Sequence, residues 1–152
     1  MLKIKVATEA RRDHATLIVA RTDARTAHGL DVALRRAKSY EPAGADIIFV
    51  ESPESEAELE KIGQEVEKPL LANMVEFGKT PRVEVERLKK WGFDVAIYPG
   101  LGFSVAAEAM RQSWEFLKEK GTSVGVTVPQ YRNLHELMGV SEVWDFEKKW
   151  AS

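Results

Sequence analysis

Short apolar runs alternate with longer amphipathic stretches along most of the chain. Four runs have the length of buried strands, at residues 17–20, 46–50, 70–72 and 94–97. The segments between them carry apolar residues at the i, i+3, i+4 and i+7 positions of amphipathic helices. Strands that alternate with helices form parallel sheets, so the pattern predicts an α/β fold of four βα units. It leaves open whether the sheet is doubly wound or part of a (β/α) barrel.

Local signals predict where several helices begin and end. Residues 1–12 look like the end of a helix, which is an unusual way for an α/β domain to begin. The segment from Ser55 to Glu58 is a capping box, and Thr80 followed by Pro81 predicts an N-cap and a first helical residue. Residues 122–129 are rich in β-branched side chains and are expected to be extended.

Each predicted strand ends in a polar or ring-forming residue, and these ends lie on one edge of a parallel sheet. The four residues of interest are Arg21, Glu51, Asn73 and Pro99. Arg21 and Asn73 could bind an anionic oxygen, because a guanidinium fork suits a carboxylate or phosphate. Glu51 could act as an acid or base, or order a metal-bound water. The alternative is that Arg21 pairs with Asp23 and only closes the edge of the sheet.

Composition narrows the class of protein. The chain has 152 residues, a formal net charge of −2 and no cysteine, so disulfides, thiolate metal sites and a cysteine nucleophile are excluded. The charge and the absence of a basic stripe argue against nucleic acid as a partner. No apolar run is long enough to span a membrane, and we expect a soluble, cytoplasmic protein. Gly100 and Gly102 suggest phosphate contact, although a tight turn explains them better, because the third glycine of a dinucleotide fingerprint is missing.

Three segments resemble those of a known superfamily in order and spacing: residues 18–24 (IVARTDA), 44–51 (GADIIFVE) and 71–81 (LANMVEFGKTP). They are similar to the isocitrate lyase/phosphoenolpyruvate mutase superfamily, and most similar to its methylisocitrate lyase-like and carboxyphosphonoenolpyruvate phosphonomutase-like branch. The resemblance implies a (β/α)8 TIM-type barrel. It also implies chemistry on a C–C or C–P bond next to a 2-oxo acid, with Mg2+ stabilising an enolate of pyruvate.

The resemblance implies a role for each of the four residues at the strand ends. Arg21 resembles the arginine that holds a substrate carboxylate or phosphonate. Glu51 resembles the glutamate that hydrogen-bonds the water shell of the metal, so no direct metal ligand is expected in this chain. Asn73 resembles the asparagine that completes the anion pocket, and Pro99 resembles a residue of the pocket wall.

The resemblance covers only the C-terminal half of the family barrel. The first three strands, which carry the Asp-x-Asp metal ligands and the mobile catalytic lid in the family, have no counterpart here. We expect residues 1–130 to form a partial (β/α) barrel and residues 131–152 a C-terminal helical tail that can pack on a neighbouring subunit. A partial barrel leaves sheet edges and an apolar inner face uncovered, so a homo-oligomer is expected.

Several functions stay open at this level. The first is the C-terminal part of a Mg2+-dependent carbon–carbon lyase, similar to methylisocitrate lyase, that acts on small di- or tricarboxylates. The second is a non-catalytic half-barrel remnant that binds small carboxylates or serves in oligomerisation. A phosphonomutase and an oxaloacetate decarboxylase are alternatives within the family, and a doubly wound nucleotide-binding domain is the weakest hypothesis. Whether the chain is an enzyme by itself is left open by its sequence.

Overall fold

The computed structural model describes residues 1–151. The chain divides into two compact units, the first comprising Met1–Ala106 and the second beginning at Ala107. The first unit contains the sheet and the predicted site residues, and the second contains helices and their connections.

Four parallel strands form a single sheet in the first unit. They are β1 (Val19–Thr22), β2 (Ile47–Val50), β3 (Leu70–Asn73) and β4 (Phe93–Ile97). Their spatial order is β1-β2-β3-β4, with every neighbouring pair parallel. The predicted parallel α/β arrangement is confirmed. The first strand extends further than its apolar run, because Arg21 and Thr22 pair with Phe49 and Val50 of β2.

Helices precede, connect and follow the strands. They are α1 (Leu2–Ala10), α2 (Ala24–His28), α3 (Leu30–Tyr40), α4 (Glu56–Glu65), α5 (Val85–Lys90), α6 (Leu101–Lys120), α7 (Tyr131–Leu137) and α8 (Val140–Trp150). One half of the predicted capping box of α4 is confirmed, since Ser55 Oγ accepts a hydrogen bond from the Glu58 backbone N–H at 3.2 Å. The Glu58 carboxylate accepts the backbone N–H of Glu54, at 2.8 Å, in place of that of Ser55. Within residues 1–151, no helix has the length and apolar character needed to cross a bilayer.

Two local predictions were wrong. The helix expected to start at Thr80-Pro81 starts only at Val85, with Glu84 as its N-cap. Val83 packs against the core from the non-helical stretch before it, so a tertiary contact outweighs the local cap signal. The extended segment expected at residues 122–129 is interrupted by a turn at residues 124–125, which the positive φ of Gly125 (104°) permits, and residues 126–129 form no strand.

The hydrophobic core of the first unit lies between one face of the sheet and the helices. Its largest fully buried side chains are Ile48, Leu59, Ile62, Leu70, Met74 and Leu88. The opposite face carries the alternate strand residues, among them Val19, Phe49, Leu71 and Val95. Val19 on that face is 46% exposed, whereas Ile48 on the core face is completely buried. Helices therefore cover the core face, whereas the opposite face is only partly covered, since Val19 is exposed there and Phe49 is buried.

The second unit consists of the greater part of α6 followed by α7 and α8. An edge-to-face aromatic contact joins the last two helices, because the His135 ring lies 5.7 Å from the Trp144 ring. Many large apolar side chains of this unit remain exposed, including Leu137, Met138 and Phe146. Such a surface is typical of segments that pack against another protein surface.

Candidate functional site

Three polar side chains lie together at the C-terminal ends of neighbouring strands. Arg21 belongs to β1, Glu51 directly follows β2, and Asn73 is the last residue of β3. The register aligns Arg21 with Phe49, and Phe49 with Leu71. Residues two apart on a strand share a face, so Glu51 and Asn73 stand on the same face as Arg21. The structure thus brings together three of the four predicted site residues.

The Glu51 carboxylate is at the centre of this group. Its Oε2 lies 3.3 Å from Arg21 Nη1 and accepts a hydrogen bond from Asn73 Nδ2 at 3.5 Å. Its Oε1 accepts a hydrogen bond from Ser52 Oγ at 3.1 Å. Ser52 has a positive φ of 58°, a conformation that few non-glycine residues adopt and that is often found at functional sites. Both carboxylate oxygens are therefore held by neighbouring donors.

The Arg21 guanidinium contacts two carboxylates and one aromatic ring. Its Nε and Nη2 donate to the Asp23 carboxylate at 3.1 and 2.7 Å. The same hydrogen bonds raise the pKa of Arg21 and lower the pKa of Asp23. Its carbon Cζ lies 5.0 Å from the centre of the Phe49 ring, within the range of a cation–π contact. The pair between Arg21 and Asp23 that the sequence offered as an alternative is present together with the contact to Glu51.

Two buried oxygens at this edge have no hydrogen-bond partner among the described residues. They are Asn73 Oδ1 and Glu76 Oε2. An unpaired buried polar atom costs about 1–3 kcal/mol, so these oxygens suit an incoming donor or cation. Gly100 leaves room for the Glu76 carboxylate, because a Cβ at that position would lie 3.1 Å from Glu76 Oε2.

The charges at this edge favour a cation. One guanidinium, that of Arg21, contacts two carboxylates, those of Asp23 and Glu51. Oxygen donors of this kind are the ones that Mg2+ prefers. In the part of the chain that the structure describes, however, no three histidine or acidic side chains are close enough to hold a metal ion. The oxygen atoms present are suited to accept hydrogen bonds from the water molecules around a bound Mg2+. They do not form a complete set of direct metal ligands.

Pro99, the fourth predicted residue, follows β4, the strand next to β3 in the sheet. It is exposed in the turn that joins β4 to α6. A hydrogen bond from the Leu101 N–H to the Tyr98 carbonyl, 3.3 Å long, closes that turn. The two glycines at 100 and 102 therefore belong to a tight turn and the helix start that follows it. The role of Pro99 in a pocket wall stays a prediction.

A cluster of charged residues holds the loops behind the site. Arg25 of α2 makes a two-point contact with Glu58 of α4, at 2.9 and 2.6 Å, and its Nη1 lies 2.7 Å from Glu54. Lys79, in the loop after β3, reaches Glu54 at 3.9 Å. The segments that follow the first three strands are thus joined through side chains, which fixes the edge on which the site lies.

Sequence reasoning did not identify Phe49 and Glu76 as parts of the site. Phe49 precedes Glu51 by two residues, and the two-residue period of a strand indicates that both share a face. Glu76 stands three residues after Asn73 within one of the segments that carry the resemblance. No local pattern shows that its carboxylate is buried, since that depends on the approach of Gly100.

The sequence matches a known family over most of its length. A family model described as phosphoenolpyruvate phosphomutase matches residues 1–118. The chain belongs to this family. It is 41% identical to the 2,3-dimethylmalate lyase of Eubacterium barkeri over 99% of its own length and 53% of that protein. It is 38% identical to the 2-methylisocitrate lyase of Bacillus subtilis, over 94% of its own length and 44% of that protein.

Solved structures of the same superfamily share the fold. A crystal structure of 2,3-dimethylmalate lyase matches 97% of the chain with a TM-score of 0.84 at 30% identity, and the match covers 53% of that protein. Oxaloacetate acetylhydrolase in complex with oxalate matches 99% of the chain with a TM-score of 0.87 at 25% identity, again over 53% of that protein. The chain therefore spans about half the length of the relatives it matches. The predicted partial TIM-type barrel, with four βα units, is confirmed.

Proposed function

We propose that this chain supplies the carboxylate-binding edge of a lyase that cleaves a carbon–carbon bond in a small di- or tricarboxylate. One observation carries the proposal: Glu51 Oε2 lies within 3.5 Å of both Arg21 and Asn73 at the C-terminal edge of the sheet. This is the edge on which barrel enzymes place their chemistry. The similarity to proteins named 2,3-dimethylmalate lyase and 2-methylisocitrate lyase supports the reaction class.

Each of the three residues has a role that follows from its chemistry. Arg21 binds a substrate carboxylate through its planar fork, and Asn73 adds an amide donor beside it. Glu51 accepts hydrogen bonds from water at this edge and holds a proton when one is released there. A bound Mg2+ would supply positive charge that stabilises the negative charge developing on a substrate oxygen. Glu51 and the unpaired Asn73 Oδ1 would accept hydrogen bonds from its water molecules.

A second candidate is a half-barrel that binds small carboxylates without turnover. It is favoured by the Arg21 guanidinium, which holds one carboxylate, that of Asp23, through hydrogen bonds from Nε and Nη2. Binding requires only the Arg21 fork and its neighbours, whereas cleavage also requires a bound metal. Within the family, a phosphonomutase or an oxaloacetate decarboxylase would use the same fork, because it suits phosphonates as well as carboxylates.

The experiment combines turnover with binding. Pyruvate release from 2,3-dimethylmalate and from 2-methylisocitrate is measured with the protein isolated from its native cells and with an Arg21→Ala form. Loss of the charged fork is expected to cost about 2–4 kcal/mol, or roughly 30- to 1,000-fold in kcat/KM. Arg35→Ala, at an exposed position of α3, is the matched control and should leave the rate unchanged.

The outcomes separate the two candidates. Pyruvate release that depends on Arg21 supports the lyase. Binding of oxalate to the isolated chain by calorimetry, with no turnover by the native protein, supports the non-catalytic half-barrel. Unchanged kinetics and unchanged oxalate binding in Arg21→Ala would remove Arg21 from the site and contradict both candidates.

We also propose that the chain self-associates. β1 and β4 are the edge strands of the described sheet, and unpaired strand edges bind further strands. In the second unit, Trp144, Phe146 and Trp150 are exposed, so residues 131–152 are the proposed contact with a neighbouring subunit. Light scattering after gel filtration tests this proposal. We expect a dimer or larger assembly at micromolar concentration, and a monomer at that concentration would refute it.

A further inference from the structure

We propose that Asp23 occupies the carboxylate-binding side of Arg21 in the unliganded protein and that a substrate carboxylate displaces it. Asp23 would then set the affinity of the site for carboxylates. The inference rests on the proposed function, because it requires that Arg21 bind a carboxylate ligand.

The first argument is the geometry of the Arg21 fork. Its Nε lies 3.1 Å from Asp23 Oδ2, and its Nη2 lies 2.7 Å from Asp23 Oδ1. This two-point contact is the arrangement that an external carboxylate makes with an arginine. Nη1 is directed to Glu51 at 3.3 Å. The Nε–Nη2 edge of the guanidinium is therefore occupied by Asp23, and a ligand carboxylate that binds this edge must displace Asp23.

The second argument is that Arg21 stays in place without Asp23. The Phe49 ring lies 5.0 Å from Arg21 Cζ, and Phe49 itself is only 6% exposed. The Glu51 side chain is 17% exposed and contacts the guanidinium from another side. The Asp23 side chain, by contrast, is 64% exposed. Of the three contacts to Arg21, the one with Asp23 is the contact that exchanges most readily with solvent or a ligand.

The third argument is that Asp23 has a second place to go. It is the N-cap residue of α2, where aspartate is among the preferred residues because its side chain accepts a backbone N–H of the first turn. Here the Asp23 side chain makes no such hydrogen bond. When a ligand takes over Arg21, the free carboxylate can cap α2 at the backbone N–H of Arg25 or Thr26. The cap compensates for part of the lost ion pair.

Calorimetric titration of oxalate at fixed Mg2+ concentration tests the proposal with variants of the 152-residue chain. Asp23→Asn removes the competing charge but keeps a side chain that can cap the helix. We expect its dissociation constant for oxalate to fall by about two- to fivefold, the scale of an exposed ion pair. Asp23→Ala also removes the side chain that can cap α2, so its affinity for oxalate should rise less than that of Asp23→Asn. Asp31→Asn, in α3, removes one negative charge from an exposed ion pair with Lys61 of α4 and should bind oxalate like the unaltered chain.

A second measurement uses the unaltered chain, with Asp23→Ala as its control. Hydrogen exchange of the Arg25 and Thr26 amides in the unaltered chain should slow when oxalate is added, because the released Asp23 side chain then accepts one of them. Asp23→Ala should show no such slowing. Circular dichroism of each variant checks that it keeps the fold.

The outcomes distinguish this inference from the proposed function. Oxalate binding that is lost in Arg21→Ala, but is unchanged or weaker in Asp23→Asn, overturns the role of Asp23 and leaves the proposed function intact. Unchanged exchange at Arg25 and Thr26 on oxalate binding overturns the displacement. Oxalate binding that does not depend on Arg21 overturns both.

Discussion

Gly63 permits a very close approach between α4 and the end of α5. A Cβ built on Gly63 would lie 1.5 Å from the Trp91 carbonyl oxygen and 2.7 Å from its carbon. An alanine in the interior of a helix is normally more stable than a glycine by about 1 kcal/mol. At this position the contact is with backbone atoms, so neither side can relieve it by a change of rotamer. The helix or the turn at Trp91 must move.

We therefore expect Gly63→Ala to destabilise the protein although it raises helix propensity. Overpacking of this kind costs about 1–3 kcal/mol and sometimes more. A separation of 1.5 Å places the cost at the upper end, so after the gain of about 1 kcal/mol in propensity the net loss is about 2 kcal/mol. Urea unfolding, followed by far-ultraviolet circular dichroism, measures the free energy of unfolding of Gly63→Ala and of the unaltered chain. The m-value should be the same for both proteins.

Gly102 provides the matched control. It lies in α6, and a Cβ there would meet no atom within 4 Å. Gly102→Ala should leave stability unchanged or raise it by up to about 1 kcal/mol. A Gly63→Ala protein as stable as the unaltered chain would refute the reasoning, and so would an equal loss in both variants.

Three further changes test the packing and the ion pairs. Asp46→Asn should cost about 1–2 kcal/mol at neutral pH, because Asp46 Oδ2 accepts the Ile18 N–H at 2.7 Å and contacts Arg11 at 2.6 Å. The hydrogen bond from Ile18 lowers the pKa of Asp46 below its ordinary 3.8, so this contribution is complete above about pH 4 and is lost as the pH falls through the lowered pKa. Urea titrations of Asp46→Asn and of the unaltered chain, from neutral pH to below about pH 4, measure this contribution. A difference in stability between the two proteins that does not change with pH would contradict the role given to the Asp46 carboxylate. Arg25→Ala should cost about 1–2 kcal/mol, because it removes the guanidinium that contacts both Glu54 and Glu58. The loss should shrink in high salt, and a loss independent of salt would argue against an electrostatic origin. Ile48→Ala, at a completely buried position, should cost about 2–5 kcal/mol and Ile48→Val only about 1 kcal/mol in thermal unfolding. Equal losses in the two Ile48 variants would contradict the packing described for the core.

The sequence determined the elements whose signals are local. The apolar runs marked four strands, and the helical periodicity between them required a parallel sheet. Parallel strands place their ends on one edge, so Arg21, Glu51 and Asn73 could be grouped before any coordinates were known. The cap at Ser55 was predictable for the same reason, since its partner is only three residues away.

Only the tertiary structure decided the features that depend on contacts distant in sequence. The start of α5 was set by the packing of Val83 and not by the Thr80-Pro81 signal. The partners of Arg21 depend on the register of β1 against β2, which brings Phe49 and Glu51 to its side. Composition and periodicity describe which face of a strand is apolar, but they do not say which atoms meet across strands. The register between two paired strands decides which side chains meet, because a shift of the register by one residue would turn every side chain of a strand to the other face.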